Sequence, residues 1–180
     1  MRVISGIVRG KKLALPSSSG IRPTSDKVKE SVFNIIQFDI EGRRVLDLFA
    51  GTGQLGIEAL SRGARSAVFV DSAADSLKLI RENVNNCGFS ARSSIRACDA
   101  LAALETDEKF DLIFIDPPYS SQLAGKALTK VAKFDKLDIN GILICEFGVG
   151  SQLPMLPMPY VLKKEYKYGG VKIAKYTREP

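Results

Sequence analysis

The chain has 180 residues, 45% of them hydrophobic and 26% charged, which suits one globular domain with a proper core, and no apolar run approaches the ~20 residues of a membrane span. Its net charge of +6 comes with no histidine, which removes Ser-His-Asp hydrolysis, Cys-His chemistry and histidine-bearing zinc sites and leaves carboxylates, lysines, tyrosines and the backbone to do chemistry. Cys87, Cys98 and Cys145 are odd in number and widely spaced among apolar neighbours, so buried free thiols are expected; with no signal-peptide core in residues 1–20, the chain reads as cytoplasmic.

From the amino terminus, Val3, Ile4, Ile7 and Val8 predict a strand over Arg2–Val8, and Gly10 followed by Lys11–Pro16 predicts a hairpin return. Ser17-Ser18-Ser19-Gly20 reads as a flexible linker. Ile21-Arg22-Pro23-Thr24-Ser25-Asp26 is an extended X-Pro approach to a helix capped at Thr24 or Ser25. In that helix Val28, Val32, Ile35 and Ile36 share one face, Phe33 lies near its edge, and Lys27 and Lys29 are expected in solvent.

Past Arg44 the pattern alternates regularly. Strands are predicted at 45–49, 66–71, 93–98, 112–116 and 141–147, and helices at 54–62, 74–86 and 122–134, with Gly63 and Gly88 as helix stops. Such βαβ repetition forces parallel strands, right-handed crossovers and helices on both faces. Residues 160–166 and 171–176, around Gly169-Gly170, predict an antiparallel hairpin. Charge is uneven along this order: residues 1–44 carry +5 and residues 163–180 carry +4, leaving −3 between them. Basic ends around an acidic middle point to a polyanion, with nucleic acid the commonest such partner; a lysine-rich solvated surface is the plainer reading.

Two motifs carry the chemistry. Gly51, Gly53 and Gly56 satisfy G-x-G-x-x-G between a strand and a helix, and Asp71 ends the next strand, where its carboxylate can accept both hydroxyls of a ribose. That spacing admits a dinucleotide, but Asp47, inside the preceding strand, is costly to bury unless it serves a polar group such as an ammonium, and a pyrophosphate has no use for a second anion. The other motif is Asp116-Pro117-Pro118-Tyr119, where two prolines force a stiff turn off the end of an apolar strand. With Asp99 after the third strand, a carboxylate closes each of the first four strands at the ligand-binding edge of the sheet. Asp99 can receive an adenine amine or cap the short helix expected over 100–104.

LDLFAGTG with DPPY resembles the class I S-adenosylmethionine-dependent methyltransferases, and MRVISGIVRGKKL with IRPTSDKVKESVFNII is similar to the bacterial RsmD family, over Met1 to about Tyr176. The resemblance implies a Rossmann-like α/β sheet, mostly parallel, with an antiparallel C-terminal hairpin and a small N-terminal β-hairpin extension. Residues 1–20 would contact RNA and 21–180 would form the catalytic domain. The implied activity is methyl transfer to the N2 amine of one guanine in 16S ribosomal RNA. The cofactor would be S-adenosylmethionine, leaving as S-adenosylhomocysteine, with no metal. The protein would act as a monomer on ribosomal RNA within an assembled or partly assembled small subunit and away from membranes.

Residue by residue, Asp47, Phe49, Ala50, Gly51 and Gly53 would hold the methionine end of the cofactor, Asp71 its ribose, and Asp99 and Ala100 its adenine. Arg22, Pro23 and Thr24 would close over it. Asp116, Pro117, Pro118 and Tyr119 would hold the target, the Asp116 carboxylate and Pro117 carbonyl accepting the two amine hydrogens while Tyr119 stacks on the base. Arg2, Arg9, Lys11, Lys12 and Arg22 are the candidate RNA grip. Ser5, Lys29 and Gly170 depart from the family pattern. The alternatives are DNA amine methylation, a nicotinamide oxidoreductase, or a non-catalytic RNA-binding assembly factor.

Overall fold

The structure, a computed structural model, describes residues 1–16, 26–118 and 122–180. Helix α1 spans Asp26–Ile35; β1 (Arg44–Leu48), α2 (Gln54–Ser61), β2 (Ser66–Asp71), α3 (Ala74–Asn86) and β3 (Ser93–Ala97) follow, then β4 (Phe110–Ile115), α4 (Leu123–Lys133), β5 (Leu137–Gly148), β6 (Tyr160–Tyr168) and β7 (Val171–Arg178). The strands form one seven-stranded sheet in the order β3-β2-β1-β4-β5-β7-β6. The first five pair in parallel, as the βαβ alternation requires, and β7 runs antiparallel between β5 and β6. The order reverses between β1 and β4, so the crevice at their carboxyl ends is the place where an open α/β sheet receives a ligand.

Alternate residues of β1, β2 and β4 serve opposite cores, which is why these strands read as nearly continuous apolar runs. Val45, Phe69, Leu112 and Phe114 pack with α1, α2 and α3; Leu46, Val70, Ile113 and Ile115 pack with α4. The apolar face of α1 is as predicted, and Phe33 belongs fully to it, its ring 5.7 Å from that of Phe114.

Bounds of β2 and α3 fall on the predicted residues, while β5 starts at Leu137 rather than Gly141. Asp138, Ile139 and Asn140 are exposed, Asn140 has φ 61°, and the pairing jumps from Phe110–Leu137 to Leu112–Ile142, so the polar bend conceals the strand's beginning. The helix expected over 100–104 is a single 3-10 turn at Ala102–Leu104. The caps proposed at Thr24 and Ser25, and the linker, lie outside the described residues.

The amino-terminal hairpin is present in minimal form, as one antiparallel bridge between Arg2 and Lys12 with Val3 N–H donating to Lys11 O at 2.9 Å. The strand predicted over Arg2–Val8 does not continue, because α2 takes its hydrogen bonds. The buried Glu58 carboxylate accepts the N–H groups of Ile4 and Ser5 at 2.7 and 2.9 Å, and Ser61 O accepts that of Ile7 at 2.8 Å. Gly6, at φ +88°, permits this contact: a Cβ there would sit 1.9 Å from Ser61 O.

Candidate active site

The loop leaving β1 is held in a conformation side chains seldom adopt, with φ values of 59°, 56° and 76° at Phe49, Gly51 and Gly53. Bonds from every side keep it there. Ala50 N–H donates to Val70 O at 3.0 Å, Gly53 N–H to Ala50 O at 2.7 Å, and Gly51 N–H to Asp71 Oδ2 at 2.9 Å. Gly56 has a different reason to be glycine. A Cβ on it would lie 2.3 Å from the Phe69 ring, so this residue lets α2 close on the sheet and brings its own N–H to 2.9 Å from Asp47 Oδ2.

Asp47, 1% exposed, is the most perturbed carboxyl of the site. Burial, then the charges of Asp116 and Asp71, push its pKa well above the carboxylate range against the opposing Gly56 N–H. Three acids at the ends of neighbouring strands thus share one field, and a cation placed among them would relieve it. One residue past the glycine loop, Gln54 is 6% exposed and its Oε1 has no hydrogen-bond partner among the described residues. Sequence reasoning missed this buried acceptor; a glutamine beginning a mostly apolar helix was its signal. An aminoacyl sulfonium cofactor suits this donor-poor, acid-rich crevice, whereas a pyrophosphate does not.

Asp71 and Asp99 are anchored by their own turns. Asp71 Oδ1 accepts Ala73 N–H at 2.9 Å, and Asp99 Oδ1 accepts the N–H groups of Leu101 and Ala102, both at 2.9 Å. Asp99 thus holds the turn that leads into Ala102–Leu104, although the residue at the cap of that 3-10 turn is Leu101; Asp99 is exposed and Ala100 beside it is buried. Each carboxylate oxygen keeps a further lone pair for a ligand.

At the end of β4, Asp116 is half-buried, Pro117 buried and Pro118 exposed. Pairing of Leu48 with Ile115 sets the start of the glycine loop and Asp116 side by side across the β1–β4 crevice. A cavity of about 860 Å³ opens against Pro117 and Pro118 and is bounded by α4 residues Lys126 and Thr129 and by Glu146, Phe147 and Gln152. Within β5, burial together with Asp116 and Glu146 pushes the Cys145 thiol up, so it stays protonated. All three cysteines are free, Cys87 and Cys145 buried and Cys98 half-buried. Tyr119, Arg22, Pro23 and Thr24 lie outside the described residues.

Arg2, Arg9, Lys11 and Lys12 are all exposed, and none forms an ion pair among the described residues. The carboxyl-terminal basic group differs: Lys163 pairs with Glu179, Lys172 with Glu165, Lys175 with Asp39 and Arg178 with Asp135. Lys29, expected in solvent, is 0% exposed; its Nζ donates to Arg2 O at 2.7 Å, and burial lowers its pKa against the pull of Glu58 and Asp26. A buried glutamate on α2 requires a cation nearby, and Lys29 and Arg62 supply it, Arg62 Nε bonding Glu58 at 2.8 Å.

The sequence matches the family described as Conserved hypothetical protein 95 over residues 1–177. It is 37% identical to "Putative rRNA methyltransferase YlbH" of Bacillus subtilis, covering 99% of both chains. It is 34% identical to "Ribosomal RNA small subunit methyltransferase D" of Escherichia coli K12, covering 99% of this chain and 90% of that protein. Among solved structures it superposes on "Putative methyltransferase yhhF" from Escherichia coli with a TM-score of 0.90 and 29% identity, over 99% and 98% of the two chains. Among the described residues no helix is long and apolar enough to cross a membrane.

Proposed function

The chain belongs to the Conserved hypothetical protein 95 family, the RsmD methyltransferases, and from that premise we propose that it transfers a methyl group from S-adenosylmethionine to the N2 amine of a guanine in small-subunit ribosomal RNA. One observation carries the reading: Asp47, Asp71, Asp99 and Asp116 close four adjacent strands at the point where the strand order reverses, and the buried Asp47 carboxyl feels the charges of Asp71 and Asp116. A nicotinamide dinucleotide would set its pyrophosphate against those acids, which disfavours the oxidoreductase alternative.

S-adenosylmethionine, when bound, supplies an electrophilic methyl on a cationic sulfur. Asp47 with the glycine loop binds the cofactor's aminoacyl end, Asp71 the ribose, and Asp99 with Ala100 the adenine. A guanine amine is a weak nucleophile because its lone pair is delocalised into the ring. The Asp116 carboxylate and the Pro117 carbonyl would accept hydrogen bonds from its two N–H groups, which would favour a pyramidal nitrogen with its lone pair localised and oriented for transfer. Tyr119 stacks on the unstacked base, offsetting about 1–3 kcal/mol of the cost of extruding it. No strong base is required, in keeping with a chain without histidine.

Residues 1–16, with Arg2, Arg9, Lys11 and Lys12 exposed on one segment, grip the phosphate backbone, joined by Arg22. Replacing Lys11 and Lys12 by alanine should flatten the slope of log affinity against log salt by about one to two charges; an unchanged slope moves the grip elsewhere. The reading as a whole is tested with labelled S-adenosylmethionine and small subunits, intact or partly assembled, from cells lacking the protein. Label at N2 of a single guanine is expected. Label on DNA, on another base atom, or on no substrate overturns it.

A further inference from the structure

Asn83 lies on α3, outside every motif above, and is 0% exposed. It spends its whole amide on two backbone segments. Oδ1 accepts Ala14 N–H at 2.6 Å; Nδ2 donates to Ala14 O at 3.2 Å and to Thr52 O at 2.9 Å. Ala14 belongs to the amino-terminal segment that carries Lys11 and Lys12, and Thr52 sits between Gly51 and Gly53 of the cofactor loop. A second contact follows the same line: the buried Thr52 hydroxyl lies 3.8 Å from Met1 Sδ, and Leu13 packs in the core cluster that includes Leu55 and Ile80.

The geometry points to Asn83 as a positioning residue for the cofactor, clamping the back of the glycine loop to the amino-terminal segment. A planar amide is suited to this. One edge pairs with both polar groups of Ala14 as a strand neighbour would, and the second N–H is left to draw in the Thr52 carbonyl. That carbonyl is the pivot between two positive-φ glycines, whose conformational freedom would otherwise let the loop rotate its N–H groups away from Asp71. The inference rests on the assignment of this loop to S-adenosylmethionine and assigns residues 1–16 a part in the cofactor site as well as in gripping RNA.

The test compares the whole protein with its Asn83→Asp and Asn83→Leu variants, titrated calorimetrically with S-adenosylhomocysteine well below their melting temperatures, alongside steady-state kinetics. Asn83→Asp keeps an acceptor for Ala14 N–H but has nothing to give Thr52; Asn83→Leu has a similar shape and no polar group. Both should weaken the cofactor by about tenfold or more, with kcat at saturating cofactor changed by less than about twofold and one site per chain retained. S-adenosylhomocysteine has a neutral sulfur and an aminoacyl end of no net charge, so weakening shared by Asn83→Asp and the uncharged Asn83→Leu reports the lost Thr52 bond rather than an added charge. Lower melting temperatures with unchanged affinity, or Asn83→Asp binding as the parent does, would show a purely structural clamp and overturn the inference. Failure of the parent protein to bind S-adenosylhomocysteine would instead overturn the assignment of the loop.

Discussion

Asp71 and Asp116 both leave a parallel strand into the same crevice, and their turns treat them oppositely. The chain after Asp71 bends back and gives Ala73 N–H to the carboxylate at 2.9 Å, as the chain after Asp99 gives Leu101 N–H. Two residues after Asp116 stands Pro118, which like Pro117 before it has no N–H to give, so the first N–H along the chain is that of Tyr119. The local chain therefore anchors the first two carboxylates at that offset and offers the third no N–H there. The proline pair thus removes for Asp116 the N–H that the turns after Asp71 and Asp99 offer two residues on.

The largest test of that contrast replaces each acid in turn. Asp116→Ala should cut kcat about 10²- to 10³-fold while leaving S-adenosylhomocysteine affinity nearly unchanged, whereas Asp71→Asn should weaken that affinity about tenfold or more with kcat at saturation largely kept. Equal effects of the two on turnover would erase the distinction. A smaller and sharper test is Pro118→Ala, which restores an N–H two residues beyond Asp116. If that N–H captures the carboxylate in an Asx turn, single-turnover methyl transfer slows by about three- to tenfold at unchanged cofactor affinity. A variant as fast as the parent would mean the second proline only stiffens the chain.

The smallest effect concerns stability. Burial and the charges of Asp116 and Asp71 raise the Asp47 pKa in the folded protein, so the folded chain holds that proton to higher pH than the unfolded one does. The stabilisation is complete below the unfolded value near 4 and is lost as pH rises through the folded value. Asp47→Asn, still able to accept the Gly56 N–H, removes that loss. In the absence of cofactor its advantage in melting temperature over the parent should grow from pH 5 to pH 8, while its cofactor affinity falls. A difference independent of pH would contradict the assignment of the raised pKa to Asp47.

Much of this was legible in the sequence because it is periodic. Apolar runs separated by helical spacing placed β1 to β4, and a carboxylate at each strand end could be read without coordinates. Signals that depend on distant partners were not legible. Nothing adjacent to Lys29 announces that it bonds Arg2 O, and nothing near Asn83 points to both Ala14 and Thr52. Gly56 was visible as the third glycine of a fingerprint, but its contact with Phe69 belongs to packing of α2 on β2. Net charge alone did not show pairing: the +4 of the carboxyl-terminal group already counts Glu165 and Glu179, and Lys175 and Arg178 are further paired with Asp39 and Asp135 from outside it, which leaves about half of that charge to a polyanion.

The order β5-β7-β6 also has a meaning in time. A ribosome delivers β5 and β6 before Val171–Arg178, yet β7 must lie between them, so the nascent chain carries β5 with an unpaired edge until the hairpin has emerged and folded back. Asp135, the acceptor for Arg178, Lys109 and the Tyr160 hydroxyl, then fastens the returning strand to the far end of the sheet. Messages cut short after β6 would yield a chain with its cofactor loop and Asp116 intact and an open, apolar sheet edge, a product for the degradation machinery rather than a weakened enzyme.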